Sequence, residues 1–166
     1  MAIDIRPDDL TSPEMAELIS IHAQTMLASS PAESCHFLPI DGLRQPSVTV
    51  WSMWEDGALT GCGALKDLGD GSGEIKSMHT RSHLRGRGLG RLMLEHILSE
   101  ARARAYSALW LETGSMDAFI PARRLYEAHG FELCGPFGDY SEDPNSVFMR
   151  LWLRHPASSS VHLTGI

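Results

Sequence analysis

The stretch Arg85-Gly86-Arg87-Gly88-Leu89-Gly90 decides how the rest of the chain is read. Glycines alternate with two arginines and a leucine, directly before a long helical pattern that begins near Leu89. The preceding run, Glu74-Ile75-Lys76-Ser77-Met78-His79-Thr80, reads as a strand. Glycine lets the backbone turn tightly and leaves its N–H groups uncovered. The first N–H groups of a helix have no partner inside it, and the macrodipole adds partial positive charge there. A strand, a glycine-rich turn and a helix start therefore make a site for an anion, typically a phosphate. Arg87 and Arg91 put mobile positive charge beside it.

Downstream of the loop, Leu89, Leu92, Met93, His96 and Ile97 share one helix face, widened by Leu94, Leu98, Ala101 and Ala105. A stripe that broad packs on a sheet. Glu100 and Arg104 make a favourable i,i+4 pair. Residues 107–113 read as the next strand, so a strand, a crossover helix and a strand imply parallel pairing with a right-handed connection. Residues 121–129 read as a helix that Gly130 stops. Strands at 131–134 and 147–153 follow, separated by a polar loop.

Upstream, residues 48–54 and 58–66 flank Glu55-Asp56-Gly57 and read as a hairpin. Gly61 and Gly63 inside the return strand indicate a bulge or a close backbone approach. A second turn at 67–73 makes three consecutive antiparallel strands with 74–80. Ile3 and Ile5 give a short strand signal, and Thr11-Ser12-Pro13 starts a helix with Met15, Leu18, Ile19, His22 and Met26 on its apolar stripe. His22 reads as a hydrogen-bonded core histidine. Residues 29–46 are irregular, with room for a short helix, and carry Cys35, His36 and Arg44. A functional loop and a surface connection weigh equally there.

A chain of 166 residues with 43% hydrophobic and 21% charged residues fits one α/β domain, here 1–154, followed by a flexible tail at 155–166. The formal charge of −7 argues against nucleic acid as a partner, while the arginines between Arg81 and Arg104 suit a phosphate-bearing small molecule. Cys35, Cys62 and Cys134 have no paired spacing, which argues against a disulfide framework and against a metal site and points to the cytoplasm. Neither a signal peptide nor a membrane span is visible.

Two nucleotide patterns fail at the loop. A P-loop needs Gly-Lys-Ser/Thr at its end, and Gly90 is followed by Arg91-Leu92. A dinucleotide fingerprint needs Gly-x-Gly-x-x-Gly, and the last position falls on Arg91 or Met93.

A third pattern fits. Arg85-x-x-Gly88-x-Gly90 resembles the first signature of the GNAT superfamily of N-acetyltransferases, and Ala122-x-x-Leu125-Tyr126-x-x-x-Gly130-Phe131 resembles its second. They stand in the family order, separated by a helix and a strand, and the resemblance covers most of residues 47–153. Residues 74–149 further resemble a bacterial subgroup of small acetyltransferases. The resemblance implies a mixed central sheet with antiparallel N-terminal strands, a splayed parallel pair in the middle and helices on both faces. It implies acetyl-CoA as donor, with its pyrophosphate on the backbone N–H groups of Gly86, Arg87, Gly88, Leu89, Gly90 and Arg91, and with Arg85 also among the cofactor-binding residues. The pantetheine arm would pair with Met78, His79 and Thr80. The acceptor would be an amine of a small molecule or a peptide, entering from the opposite side of the sheet. A homodimer stays open.

An amine attacks a thioester only when neutral, and the thiolate leaves more easily once protonated, so a base and an acid are useful. The resemblance offers two positions for the base, Glu74 on the strand before the loop and Glu112 on the strand after the helix. Either could instead be a solvated strand-end charge. Tyr126 matches a tyrosine that protonates the leaving sulfur in many relatives, against a plain core aromatic. Many relatives carry Asn seven residues before that tyrosine, where this chain has Phe119. By family analogy the acceptor is held by residues 29–46 and 136–146, with His36, Asp139 and Tyr140 as candidates. An acyl-CoA-binding sensor without transfer is the alternative from another class.

Overall fold

The computed structural model describes residues 2–153. Seven strands form one sheet in the order β1-β2-β3-β4-β5-β7-β6. β1 (Ile3–Pro7), β2 (Val48–Glu55), β3 (Ala58–Asp67) and β4 (Gly73–Thr80) are antiparallel neighbours in sequence order. β5 (Ala108–Gly114) runs parallel to β4, and β7 (Ser146–Trp152) lies between β5 and β6 (Glu132–Cys134), antiparallel to both. The mixed sheet with an antiparallel N-terminal half and one parallel pair is the expected architecture. The tail expected after residue 154 lies outside the described residues.

Helices cover both faces. α1 (Pro13–Ser29) starts where Ser12 caps it, its hydroxyl accepting from the Met15 N–H at 3.2 Å. Met15, Leu18 and Ile19 pack with Val50, Trp54, Leu59, Cys62 and Ala64 on one side of the sheet. A single-turn α2 (Ile40–Leu43) adds Leu43 to that cluster, so the irregular 29–46 segment does contain its short helix. On the other side α3 (Leu89–Ala103) buries Leu89, Met93, Leu94, Ile97, Leu98 and Ala101 against Leu65, Ile75 and Leu109. Each of these side chains larger than alanine contributes about 1.5–3 kcal/mol through burial, so this contact anchors the glycine loop to the sheet. α4 (Ile120–Ala128) ends as read: Gly130 has φ +93° and takes the left-handed position after the helix. The Glu100–Arg104 pair closes at 3.1 Å.

Two irregularities in β4 shape the middle of the sheet. Lys76 faces Ala64 and His79 faces Cys62, so Ser77 and Met78 together oppose Gly63 and form a bulge. Ser77 sits at φ 54°, a left-handed conformation that a residue with a Cβ rarely adopts. A side chain at Gly63 would meet Met93 Cγ at 2.8 Å and Met78 Sδ at 3.0 Å, which explains the glycine opposite the bulge. The extra residue turns Met78 toward α3 while keeping Glu74, Lys76 and His79 on the α1 side. In addition, β4 and β5 pair only at Gly73–Leu109 and Glu74–Trp110. Both strands continue well past that point, so the parallel pair splays.

Candidate active site

Where the strands part, the fold leaves a cavity of about 110 Å³. Glu74, Lys76 and Met78 reach it from β4, Glu112 from β5 and Tyr126 from α4. Loop residues His36, Phe37 and Tyr140 and the α1 residues His22 and Met26 also line it. The three residues expected to act chemically, Glu74, Glu112 and Tyr126, are thus brought to one space from three elements. Of the expected acceptor residues, His36 and Tyr140 line it. Asp139 does not, and its side chain is exposed on the loop.

The two glutamates stand in different surroundings. Glu74 is buried, and its Oε2 accepts from the Tyr140 hydroxyl at 2.6 Å and from Lys76 Nζ at 3.1 Å. Lys76 Nζ also donates to the Tyr140 oxygen at 3.0 Å and to the His36 carbonyl at 3.4 Å. Lys76 was missed in the sequence. Its spacing of two from Glu74 was the available signal, since alternate residues of a strand share a face. Glu112 has its carboxyl pushed up to about 7, chiefly by burial, with Glu74 and Asp143 adding to the rise and the Ser146 hydroxyl and Lys76 opposing it. A carboxyl that titrates near neutrality can take and release a proton under working conditions.

Tyr126 is both a core and a cavity residue. Its ring stands edge-on to Phe131 at 5.6 Å within the α3-side core, and burial pushes its phenol well above the usual range. The hydroxyl therefore keeps its proton at neutral pH. Phe119, in the position where relatives carry Asn, also borders the cavity and lies against Gly114, where a side chain would overlap its ring. His22 meets His79 across the α1–sheet interface, Nδ1 to Nδ1 at 3.0 Å, so one ring donates and the other accepts. Burial drives both to about 4, which leaves both neutral. His22 is hydrogen-bonded as read, but it is only partly buried and borders the cavity.

The two loops expected to hold the acceptor are tied together. The Ser34 hydroxyl donates to Asp143 Oδ2 at 2.6 Å, and Asn145 Nδ2 donates to Ser34 Oγ at 3.3 Å. The His36 ring stands edge-on to Tyr140 at 5.0 Å.

The glycine loop has the form an anion site needs. Gly86 and Gly88 have φ of +84° and +79°, with open space where a side chain would be. Gly88 is the N-cap of α3, and no side chain caps that helix among the described residues. The first-turn amides of α3 therefore have no side-chain partner at the cap. The splay leaves β4 beyond Glu74 without a β5 partner, a strand edge that an extended amide-bearing chain could pair with. A pyrophosphate followed by a diamide arm, as in coenzyme A, fits both features. The arginines are less mobile than their sequence suggested. Arg87 makes a two-pronged pair with Glu55 at 3.0 and 2.7 Å, and Arg91 leans toward Glu95 at 4.0 Å.

Among the described residues no cluster of three or more His, Cys, Asp or Glu could hold a metal ion, and no helix is long and apolar enough to cross a membrane. Cys35, Cys62 and Cys134 are free thiols.

Residues 15–131 match the family model described as Acetyltransferase (GNAT) family. The uncharacterised N-acetyltransferase YsnE of Bacillus subtilis is 53% identical over 146 residues, 87% of this chain and 96% of that protein. A Klebsiella pneumoniae structure, described as a candidate acyl-CoA N-acyltransferase, superposes with a TM-score of 0.74 at 28% identity, covering 92% of this chain and 98% of that one. A Bacillus subtilis acetyltransferase solved with CoA shares the fold, with a TM-score of 0.68 at 17% identity over 92% of this chain and all (100%) of the other. The glycine loop, the parted strands and the family match agree: the chain is an acyltransferase that belongs to the GNAT family of N-acetyltransferases.

Proposed function

We propose that this enzyme moves an acetyl group from acetyl-CoA to a primary amine by direct attack, with Glu112 as the base. The observation that carries the reading is the Glu112 carboxyl, held at about 7 by burial inside the cavity where β4 and β5 part. Most amines arrive protonated, and a base matched to neutral pH is suited to removing that proton. Glu74 is already committed to Lys76 and Tyr140, which favours Glu112 over it. The new C–N bond forms as the C–S bond breaks, and the Tyr126 hydroxyl, protonated and at the cavity wall, offers its proton to the departing sulfur.

The donor would lie with its pyrophosphate on the amides of residues 86–91 and its arm along Met78, His79 and Thr80. The CoA held by the Bacillus subtilis relative supports that donor. The acceptor would enter from the α1 side, past His36 and Tyr140, and be a small-molecule or peptide amine.

The test is release of CoA thiol from acetyl-CoA across a panel of amines. The expected result is turnover with at least one amine, lowered by about a hundredfold or more in Glu112→Gln. Tyr126→Phe keeps the ring and is expected to retain acetyl-CoA affinity while turnover falls, by about a hundredfold at most for so good a leaving group. Tight acetyl-CoA binding without release for any amine would make the domain a sensor.

A further inference from the structure

Lys76 is an unusual residue to find in the wall of such a cavity. Its side chain is only 9% exposed and that of its partner Glu74 only 5%. Burying an ion pair costs more desolvation than it returns in stability, compared with apolar side chains of the same size. Stability alone therefore gives no reason for the pair. Nor does Lys76 present itself as a reader of an acceptor. The three protons of its ammonium go to Glu74, Tyr140 and the His36 carbonyl, and the Tyr140 hydroxyl donates back to the same carboxylate oxygen. What the closed arrangement leaves is a positive charge fixed in space.

The register says where that charge points. Glu74 pairs with Trp110 across the parallel strands. Two steps further along each strand come Lys76 and Glu112, on the same face as Glu74. By then the ladder has parted, so Lys76 and Glu112 face each other across the cavity they both line. We propose that Lys76 is a positioning residue for acetyl transfer: clamped by Glu74 and Tyr140, it holds a fixed cation opposite Glu112 and so sets the proton affinity of the base. The inference rests on the reading of Glu112 as the base.

The neighbours of Glu112 leave that task to Lys76. From β4, Glu74 opposes it, and from the loop before β7 Asp143 does the same. Tyr140, Tyr126 and Cys35 are kept protonated and neutral by burial, and His22 on α1 is neutral as well. His36 borders the same space and supplies its carbonyl to the clamp. Lys76 is thus the fixed cation in the wall of the cavity among the described residues. Because Tyr140 and His36 belong to the two acceptor loops, the same clamp also seats those loops on β4.

The experiment titrates Glu112 directly by carboxyl-selective NMR of the ligand-free enzyme, with Glu112→Gln to assign the signal. The acid limb of kcat/KM is measured in parallel. Lys76→Met is expected to raise the Glu112 midpoint by about one pH unit and Glu74→Gln to lower it, since an opposite charge favours ionisation and a like charge disfavours it. The double variant is expected to fall between them, and Lys76→Arg to stay near wild type. The kinetic limb is expected to follow each midpoint. If Lys76→Met does not fold, Lys76→Gln, which removes the charge but keeps a polar head beside Glu74 and Tyr140, carries the test. An NMR midpoint that stays at the wild-type value in the folded variant lacking the Lys76 charge overturns the role of Lys76 and makes the pair structural. A midpoint that moves while the kinetic limb stays put overturns Glu112 as the base instead.

Discussion

A glutamate whose carboxyl is held near neutrality costs the fold free energy whenever it ionises. Glu112 goes from an ordinary 4.5 to about 7 on folding. The protonated form is favoured in the folded state, so its contribution to stability is fully present below pH 4.5 and is lost as pH rises through about 7. Glu112→Gln removes that cost. The variant is expected to match the wild type in thermal midpoint near pH 4 and to exceed it at pH 8.5. The gain is about 1–2 kcal/mol after discounting for the partial exposure of the group. Equal midpoints at pH 8.5 would mean that Glu112 is well solvated and unsuited to be the base. The sequence supplied both glutamates but could not rank them. What separates them is the set of groups around each: Glu74 is hydrogen-bonded to Lys76 and Tyr140, whereas at Glu112 burial outweighs the Ser146 hydroxyl and Lys76, and those groups come from distant parts of the chain.

At the level of elements, the glycine loop was the most legible part of the chain. A strand, a run of glycines and a helix start are local features, and backbone conformation there follows from residue type. The three glycines nevertheless do different work. Gly86 and Gly88 hold positive φ, whereas Gly90 lies in the first turn of α3 with ordinary room for a side chain, Leu125 Cδ2 being 3.5 Å from where a Cβ would sit. Gly88→Ala is expected to cost about 1–2 kcal/mol, the usual penalty for a left-handed residue with a Cβ. Gly90→Ala is expected to preserve or slightly raise stability, since alanine is the better helix former by about 1 kcal/mol. Both are expected to weaken acetyl-CoA, Gly88→Ala by a methyl in the open space of the loop and Gly90→Ala by one beside Thr80, where the arm would run. Calorimetry with thermal denaturation separates the two effects. Unchanged affinity in both would put the pyrophosphate elsewhere.

On the scale of the whole molecule, His22 and His79 join α1 to the sheet by one hydrogen bond. Burial lowers each from 6.5 to about 4. An unfolded chain would take up protons there first, so the stability they contribute is fully present above pH 6.5 and is lost as pH falls through about 4. Thermal midpoints measured between pH 7 and pH 4.5 in a Glu112→Gln background, which lacks the opposing slope, are expected to fall steadily. Adding His22→Gln is expected to flatten that fall. A slope unchanged by the substitution would show that the histidines titrate normally in the folded protein. The pair lies 57 residues apart in sequence, and only the bulge at Ser77 turns His79 toward α1.

By itself the sequence determined what depends on neighbours along the chain. Cap residues, glycine turns, alternation and helical stripes fixed the elements and their order, and the spacing of Gly88, Gly90, Tyr126 and Gly130 placed the chain in its family. Those signals act over a few residues, so they survive without tertiary context. The bulge in β4 and the early end of its pairing with β5 were decided by packing: Met78, Met93 and Ile97 fill the space opposite Gly63, and the strands part above Glu74. That geometry gives Glu112 its proton affinity, assigns Glu74 to Lys76 and Tyr140, and leaves Asp139 outside. A carboxylate takes its chemistry from the dielectric and the charges within a few ångströms of it, and only the folded chain brings those together.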